Sequence, residues 1–233
     1  MTILRLLGIA AVLLLTACEG KEPLYQEQGY VFGTLVEVSV YGETERRAKQ
    51  AVREVMQEFQ RLHDMLHAWQ PSELSEMNAA FAKGESDAIS AELVDILQDA
   101  TQLSRQSQGL FNPAIGGLVQ LWGFHADEFK PVQPDEKQIA QWVAANPQMS
   151  DIAIVRGRAE SKNRFVQVDL GGYAKGYALD RAADLLRKQV FQSDWRGLSG
   201  QQHSRDTGNR WSVGSRLRRR NGRRAAGARC RFP

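Results

Sequence analysis

Along "VFGTLVEVSVY", residues 31–41, hydrophobic and polar positions alternate with a period of two. Val36, Val38 and Val40 fall on one side of the pleat and Glu37, Ser39 and Tyr41 on the other, which predicts a half-buried strand ended by Gly42. Over residues 44–67 the period changes. Ala48, Val52, Val55, Phe59, Leu62 and Leu66 recur at intervals of 4, 3, 4, 3 and 4, a single stripe that predicts a long amphipathic helix. Thr44 suits its N-cap, and Pro71 stops any continuation. A weaker stripe, Leu93, Ile96, Leu97, Ala100 and Leu103, predicts a second helix over 90–107, with Ser90 as cap and Gly109 as its end. Residues 135–145 read as a short helix. Residues 151–155 and 164–169 read as a strand pair joined through the polar "RGRAESKN".

Two stretches fit neither period. Residues 19–29 are polar and predict a tether. Residues 109–124, "GLFNPAIGGLVQLWGF", set one Pro and four Gly among apolar residues, which predicts a structured loop with short elements. Such loops often carry sites.

The strongest chemical signal is "VDLGGYAKGYALDRAADLL", residues 168–186. Val166, Val168 and Leu170 end a strand. Gly171 and Gly172 permit a tight turn or the close approach of a ligand. Ala174, Ala178, Ala182 and Leu185 then give the inward face of a helix. Its N–H groups and positive dipole end, beside Lys175, suit an anion such as phosphate, and Asp169 is placed to bind a ligand or sit near a cation. The same residues also suit a plain strand–turn–helix connection with a solvated lysine. His63 and His67 stand at i and i+4, a spacing that metal sites use, but no third ligand of the right kind lies nearby in sequence, which favours a helix-end role over a metal site. Trp69, Trp122, Phe111 and Phe124 could stack on a planar ring or belong to a core.

Charge divides the chain. Residues 1–195 hold 19 Lys+Arg against 26 Asp+Glu, a net of −7, whereas residues 196–233 hold 11 Arg against one acid, a net of +10. A nucleic-acid partner would rest on that tail alone and is not expected. At the other end, "MTILRLLGIAAVLLLTAC" has one early positive charge, an apolar run from Leu6 to Leu15 too short to span a membrane stably, and small residues before Cys18. This resembles a lipoprotein signal of residues 1–17, with Cys18 lipidated and residues 18–30 as tether. Glu19, not Asp, follows the cysteine, so the default expectation is an outer-membrane anchor facing the periplasm of a bacterial envelope. Cys230 is the only other cysteine, so no intramolecular disulfide is expected.

Taken together, "FGTLVEVSVYG", "MLHAWQPSELSEMN", "GLFNPAIGGLVQLWGF" and "VDLGGYAKGYALDRA" resemble, in order and spacing, the ApbE-type flavin transferases. The likeness runs from about Val31 to Val190. It implies an α+β fold of mixed sheets and packed helices, with FAD in a cleft between two lobes. It also implies a magnesium-dependent reaction in which FMN passes from FAD to a threonine of a target flavoprotein subunit of a membrane redox complex, with AMP released. By position, Phe32 matches a residue against the flavin, Trp69 an aromatic stacking position, and Leu110, Phe111 and Asn112 a backbone-contact segment for FAD. Asp169 and Lys175 match FAD-contacting positions, and the Gly172 carbonyl a magnesium ligand. No catalytic residue is assigned.

The resemblance covers a domain of residues 31–192 and fades over 193–233. There "GNRWSVG" (208–214) is similar to a family strand, but the second lobe and its later magnesium ligands are not recognisable. The Arg-rich composition predicts a C-terminally truncated or out-of-frame family member of reduced activity. A non-catalytic periplasmic FAD-binding lipoprotein is the alternative, and an unfolded remnant a further one.

Overall fold

The computed structural model describes residues 23–126, 132–190, 211–216 and 227–232. Cys18 and the signal segment lie outside the described residues, as does most of the Arg-rich tail. The architecture is α+β, with two small antiparallel sheets and six helices among the described residues.

The first sheet is ordered β1-β2-β7-β6, from β1 (Leu24–Val31), β2 (Thr34–Tyr41), β6 (Trp211–Arg216) and β7 (Gly227–Phe232). The period-two reading of β2 holds: Val36, Val38 and Val40 are fully buried. The polar tether does not hold over its second half, because Leu24–Val31 pairs with β2 residue by residue, from Leu24 opposite Tyr41 to Val31 opposite Thr34. Of these eight residues only Val31 is buried, so β1 is an edge strand held by its ladder bonds, with charge on its own side chains. On the other side of β2, two strands come from the Arg-rich tail, with Val38 opposite Cys230. Cys230 is buried and unpaired, and burial pushes its thiol up to about 12.

Helix α1 (Glu45–Met65) covers this sheet with Ala48, Val52, Val55, Phe59 and Leu62 buried, as the stripe predicts. Thr44 stands at the N-cap position, but its side chain makes no capping bond. Helix α6 (Gly171–Val190) lies beside α1 and completes the core with Ala178, Leu179, Ala182 and Leu186.

A second core lies under α2 (Glu73–Lys83) and α3 (Ala91–Gln106), built from Leu74, Met77, Phe81, Leu93, Ile96 and Leu97. Ser90 caps α3 by accepting from Leu93 N–H, as predicted. Leu103 departs from the stripe: it is exposed and lines a groove, while Ser104 is buried in its neighbourhood. The second sheet, β3-β5-β4, closes this half, from β3 (Asp87–Ala88), β4 (Ile152–Val155) and β5 (Arg158–Ser161). Its hairpin corrects the predicted pair. The turn falls at Arg156–Gly157, both at positive φ, as a two-residue hairpin turn requires. The stretch 164–169 is therefore not the second strand. It runs extended beside residues 113–115, with Gln167 bridged in parallel to Ile115. Short α4 (Gly116–Leu121) and α5 (Glu136–Ala145) pack on each other. Gly117 lies so close under Trp142 that no Cβ could fit.

Candidate functional site

The two cores meet along α6. Its first half belongs to the second core through Ala174 and its second half to the first through Ala178 and Ala182. The N-terminus of α6 therefore opens between them, and the segment leading into it is held from both sides. Asn78 of α2, itself buried, donates from Nδ2 to the Val168 carbonyl at 2.9 Å and accepts the Val168 N–H at 2.7 Å. Gln167 N–H donates to the Ala114 carbonyl, Asp169 N–H to that of Pro113, and Gly116 N–H to that of Gln167. A Cβ on Gly116 would stand 2.7 Å from that Gln167 oxygen, which is why the loop needs glycine there. Asn112 keeps the loop in shape, donating to the Pro147 carbonyl and accepting from Ala114 N–H.

Asp169 thus arrives at the mouth of α6 on a fixed backbone. Gly171 and Gly172 are the first two residues of the helix and not a turn before it. Asp169 Oδ1 accepts the Gly171 N–H at 2.7 Å, so the chain's own carboxylate takes part of the helix end that the sequence suggests for an anion. Its other oxygen, Oδ2, accepts from His125 Nε2 at 2.9 Å. Burial pushes this carboxyl up. The hydrogen bonds from His125 and Gly171, with the charges of His125 and Lys175, outweigh burial and hold it below the usual carboxylate range. Asp169 is an ionised, oriented acceptor.

His125 extends the site. It lies just beyond α4, which ends in a Schellman turn: Gly123, at positive φ, donates to the Gln120 carbonyl and Phe124 N–H to that of Val119. The imidazole stacks on Trp69, with centroids 4.9 Å apart and planes at 20°. Trp69 meets His67 edge-on at 4.5 Å, His67 meets His63 at 5.1 Å, and His63 meets Phe32 at 5.8 Å. A continuous file of rings joins the β1–β2 turn to the mouth of α6. Nδ1 of His63 accepts from Phe32 N–H, and Nδ1 of His67 accepts from Trp69 and Gln70 N–H. Both nitrogens brace backbone, which favours the helix-end role for these histidines. No group of three metal-ligating side chains is found among the described residues.

Each sequence-predicted residue can now be placed. Phe32 sits at positive φ in the β1–β2 turn, half-buried across both cores. Trp69 is 42% exposed and presents ring to solvent. Asp169, Gly172 and Lys175 share one end of α6. Phe111 approaches Gly172: a Cβ built there would lie 3.8 Å from the Phe111 ring. Leu110 is 94% exposed, and the Asn112 side chain turns inward to bond the Pro147 carbonyl. His125 carried no signal in the sequence, and Asn78 was the last residue of the quoted "MLHAWQPSELSEMN" without being singled out. A lone histidine after an irregular loop carries no period, although the glycine at 123 marks the helix stop that delivers it.

Beside Gly172 and Phe111, a groove of about 960 Å³ runs between α3 and α6. Stacked Tyr173 and Tyr177 line it together with Asp95, Asp99, Asp180 and Asp184. Tyr173 donates to Asp99 at 2.7 Å, and burial followed by that bond pushes its hydroxyl up.

The ApbE family model matches residues 32–228, which carries the likeness past Val190 and into the tail strands. An FAD:protein FMN transferase of Rhodobacter capsulatus is 40% identical over 196 residues, covering 83% of this chain and 38% of the relative. One from Haemophilus influenzae is 24% identical over 196 residues, covering 81% and 56%. The chain therefore spans about half, or less, of the length of these relatives. Among solved structures, an ApbE protein of Thermotoga maritima aligns with a TM-score of 0.64 at 23% identity, over 71% of this chain and 53% of that one. The flavin transferase ApbE of Vibrio cholerae aligns with a TM-score of 0.62 at 21% identity, over 87% and 74%. At these identities the structures speak for the fold.

Proposed function

We propose that this chain, which belongs to the ApbE family, forms the flavin-binding wall of an FAD:protein FMN transferase. The observation that carries this reading is convergence. Trp69, Phe111, Asp169 and Gly172 come from three separated stretches and gather at the mouth of α6. Trp69, held in place by His125, offers the exposed part of its indole to a planar ring system. Ionised Asp169, with both oxygens oriented, would accept from a ring N–H or a ribose hydroxyl. Lys175 and the helix end favour the negative charge of a diphosphate.

In this reading the acceptor is a threonine hydroxyl of a target flavoprotein subunit. Its oxygen attacks the FMN phosphorus, the hydroxyl proton passes to water, the phosphoanhydride bond breaks, and AMP leaves with the electron pair. A diphosphate beside an ionised Asp169 calls for a cation between them. Magnesium fits that need: it would take few protein ligands, here the Asp169 carboxylate, and otherwise phosphate oxygens and water. The Gly172 carbonyl, by contrast, lies inside the first turn of α6 and points down the helix, away from its mouth. When bound it would neutralise charge developing on the leaving phosphate. The chain's own residues orient the flavin and hold the negative wall in place. Lipidation of Cys18, which lies outside the described residues, would keep the protein on the periplasmic face of an envelope membrane, beside flavoprotein subunits of redox complexes.

The test is to mix the purified chain with FAD, magnesium and a target subunit, and to follow flavin fluorescence, AMP release and the mass of the target. Quenching of FAD, AMP release and an FMN-mass adduct, all but the first stopped by a chelator, are expected. Quenching without AMP or adduct would leave a non-catalytic FAD-binding protein. Absence of quenching would overturn the reading.

A further inference from the structure

We propose that His125 is a positioning residue that locks the indole of Trp69 and the carboxylate of Asp169 into one preformed ligand-binding wall. The inference rests on the flavin reading above and adds a residue that neither the four motifs nor the ring-stacking signals single out.

The argument is geometric. Trp69 hangs on a loop after α1 and Asp169 on an extended segment before α6, a hundred residues apart in sequence. The Trp69 backbone is braced by His67, whose Nδ1 accepts its main-chain N–H, and the two rings meet edge-on. The His125 ring stacks on the Trp69 indole at 4.9 Å and fixes the plane of that ring, which stays 42% exposed. The same imidazole donates from Nε2 to Asp169 Oδ2 at 2.9 Å. Because an ionised carboxylate only accepts, Nε2 carries the hydrogen. With Gly171 N–H on Oδ1, the carboxylate is held at both oxygens and cannot rotate about its terminal torsion. The His125 side chain is only 6% exposed, so the donor works away from competing water. One side chain therefore sets the plane of the aromatic face and the plane of the carboxylate together. Without it, a ligand would have to order both on binding, and affinity falls by the cost of that ordering.

The experiment uses the full chain and three variants, which separate the two halves of the clamp. His125→Phe keeps a ring against Trp69 and removes the donor. His125→Asn keeps a donor and removes the ring. His125→Ala removes both. FAD affinity is read by fluorescence quenching, and fold integrity by melting temperature. The wild-type chain is expected to bind FAD, His125→Ala to lose roughly tenfold or more in affinity, and the two single-function variants to fall between, with melting temperatures close to wild type. A long-range 1H–15N spectrum of the ligand-free chain should show a protected His125 Nε2–H that disappears in Asp169→Ala. Equal FAD affinity in all four proteins overturns the proposal and leaves the flavin reading standing. So does an equal loss in all three variants that tracks a fall in melting temperature. If the wild type binds no FAD, the flavin reading fails and this role fails with it, while the Nε2–H signal still reports whether the clamp itself forms.

Discussion

The sheet half and the site half of this molecule are held together by different physics. In the first, β2 and α1 face each other through Val36, Val38, Val40, Val52, Val55 and Phe59, all fully buried, with the inner side of α6 closing the layer. Nothing in that contact depends on a single directed bond. In the second, the mouth of α6 is fixed by named pairs: Asn78 on Val168, Pro113 on Asp169, His125 on Asp169, and a file of rings behind Trp69. Burial is non-directional and tolerates adjustment, whereas a hydrogen bond to a buried group is lost outright when its partner goes. A protein that must hold a carboxylate and an aromatic face in register uses the second kind where the chemistry is and the first kind to support it.

The largest effect should come from opening the first half. Phe59→Ala removes a fully buried ring between α1 and the sheet and should cost about 3–5 kcal/mol. Chemical denaturation would show it as a lower midpoint. Next comes the buried amide of the second half. Asn78→Leu leaves the N–H and C=O of Val168 unpaired in a dry setting, about 1–3 kcal/mol for each group. The two substitutions should part on a second axis. In Asn78→Leu the segment carrying Asp169 is released, so FAD affinity should fall even at temperatures where the chain stays folded. A folded Phe59→Ala should bind FAD nearly as wild type does. Equal losses of FAD affinity in both would break the division drawn here.

The same division explains what could be read from the sequence. β2, α1 and α3 were legible because burial imposes a period, and a period is visible in one sequence. Ser90 was legible because a cap is a local signal. β1 was not, because its pairing partner decides its structure and its own exposed side chains carry no alternation. The hairpin of β4 and β5 was misplaced because the polar Arg156–Gly157 turn looked like part of a long connection. α2 had a signal that the reading left unused: Leu74, Met77 and Phe81 lie on one face behind a Ser72–Ser75 capping box. At the site, Asp169 and Gly172 stood out as the end of an apolar run and a turn ahead of a helix, although the glycines prove to open the helix itself. His125 did not, since its partners lie 44 residues ahead at Asp169 and 56 behind at Trp69, and no spacing encodes such a meeting.

A smaller effect should appear with acid, at the seam between the halves. Arg61 of α1 bonds Glu58 at 2.9 Å and Glu92 of α3 at 2.7 Å, while Arg181 of α6 also bonds Glu58 and Tyr177 donates to Glu92. The Arg61 hydrogen bond holds both glutamates below the usual carboxylate range, against the opposing push of burial. A depressed folded-state pKa gives stability that is fully present above the unfolded-state value, about 4.3 for Glu, and is lost as pH falls through the lower folded-state value. Melting temperature should therefore drop on acidification through that window. Glu92→Gln should flatten the drop and lower the melting temperature near neutrality by a similar, modest amount, because these groups are partly solvated. A wild-type profile no steeper than that of the variant would remove the seam from the account.

The finest distinction lies at the helix starts, and it repeats the contrast at the scale of a single bond. α2, α3 and α5, in the site half, each begin with a side-chain cap, from Ser72, Ser90 and Asp135. α1, on the sheet, begins at Thr44 with no side-chain capping bond, and rests on its buried stripe. Ser90→Ala should therefore cost about 1 kcal/mol, the ordinary worth of a cap, and somewhat more because Ser90 Oγ also donates to Glu73 of α2. Thr44→Ala, at the same formal position, should change stability by no more than about 0.5 kcal/mol, as an uninvolved surface side chain does. Paired urea titrations of the two variants resolve a difference of this size through their midpoints. If Thr44→Ala costs as much as Ser90→Ala, then α1 draws on directed bonds as the site helices do, and the contrast between the two halves does not reach their helix ends.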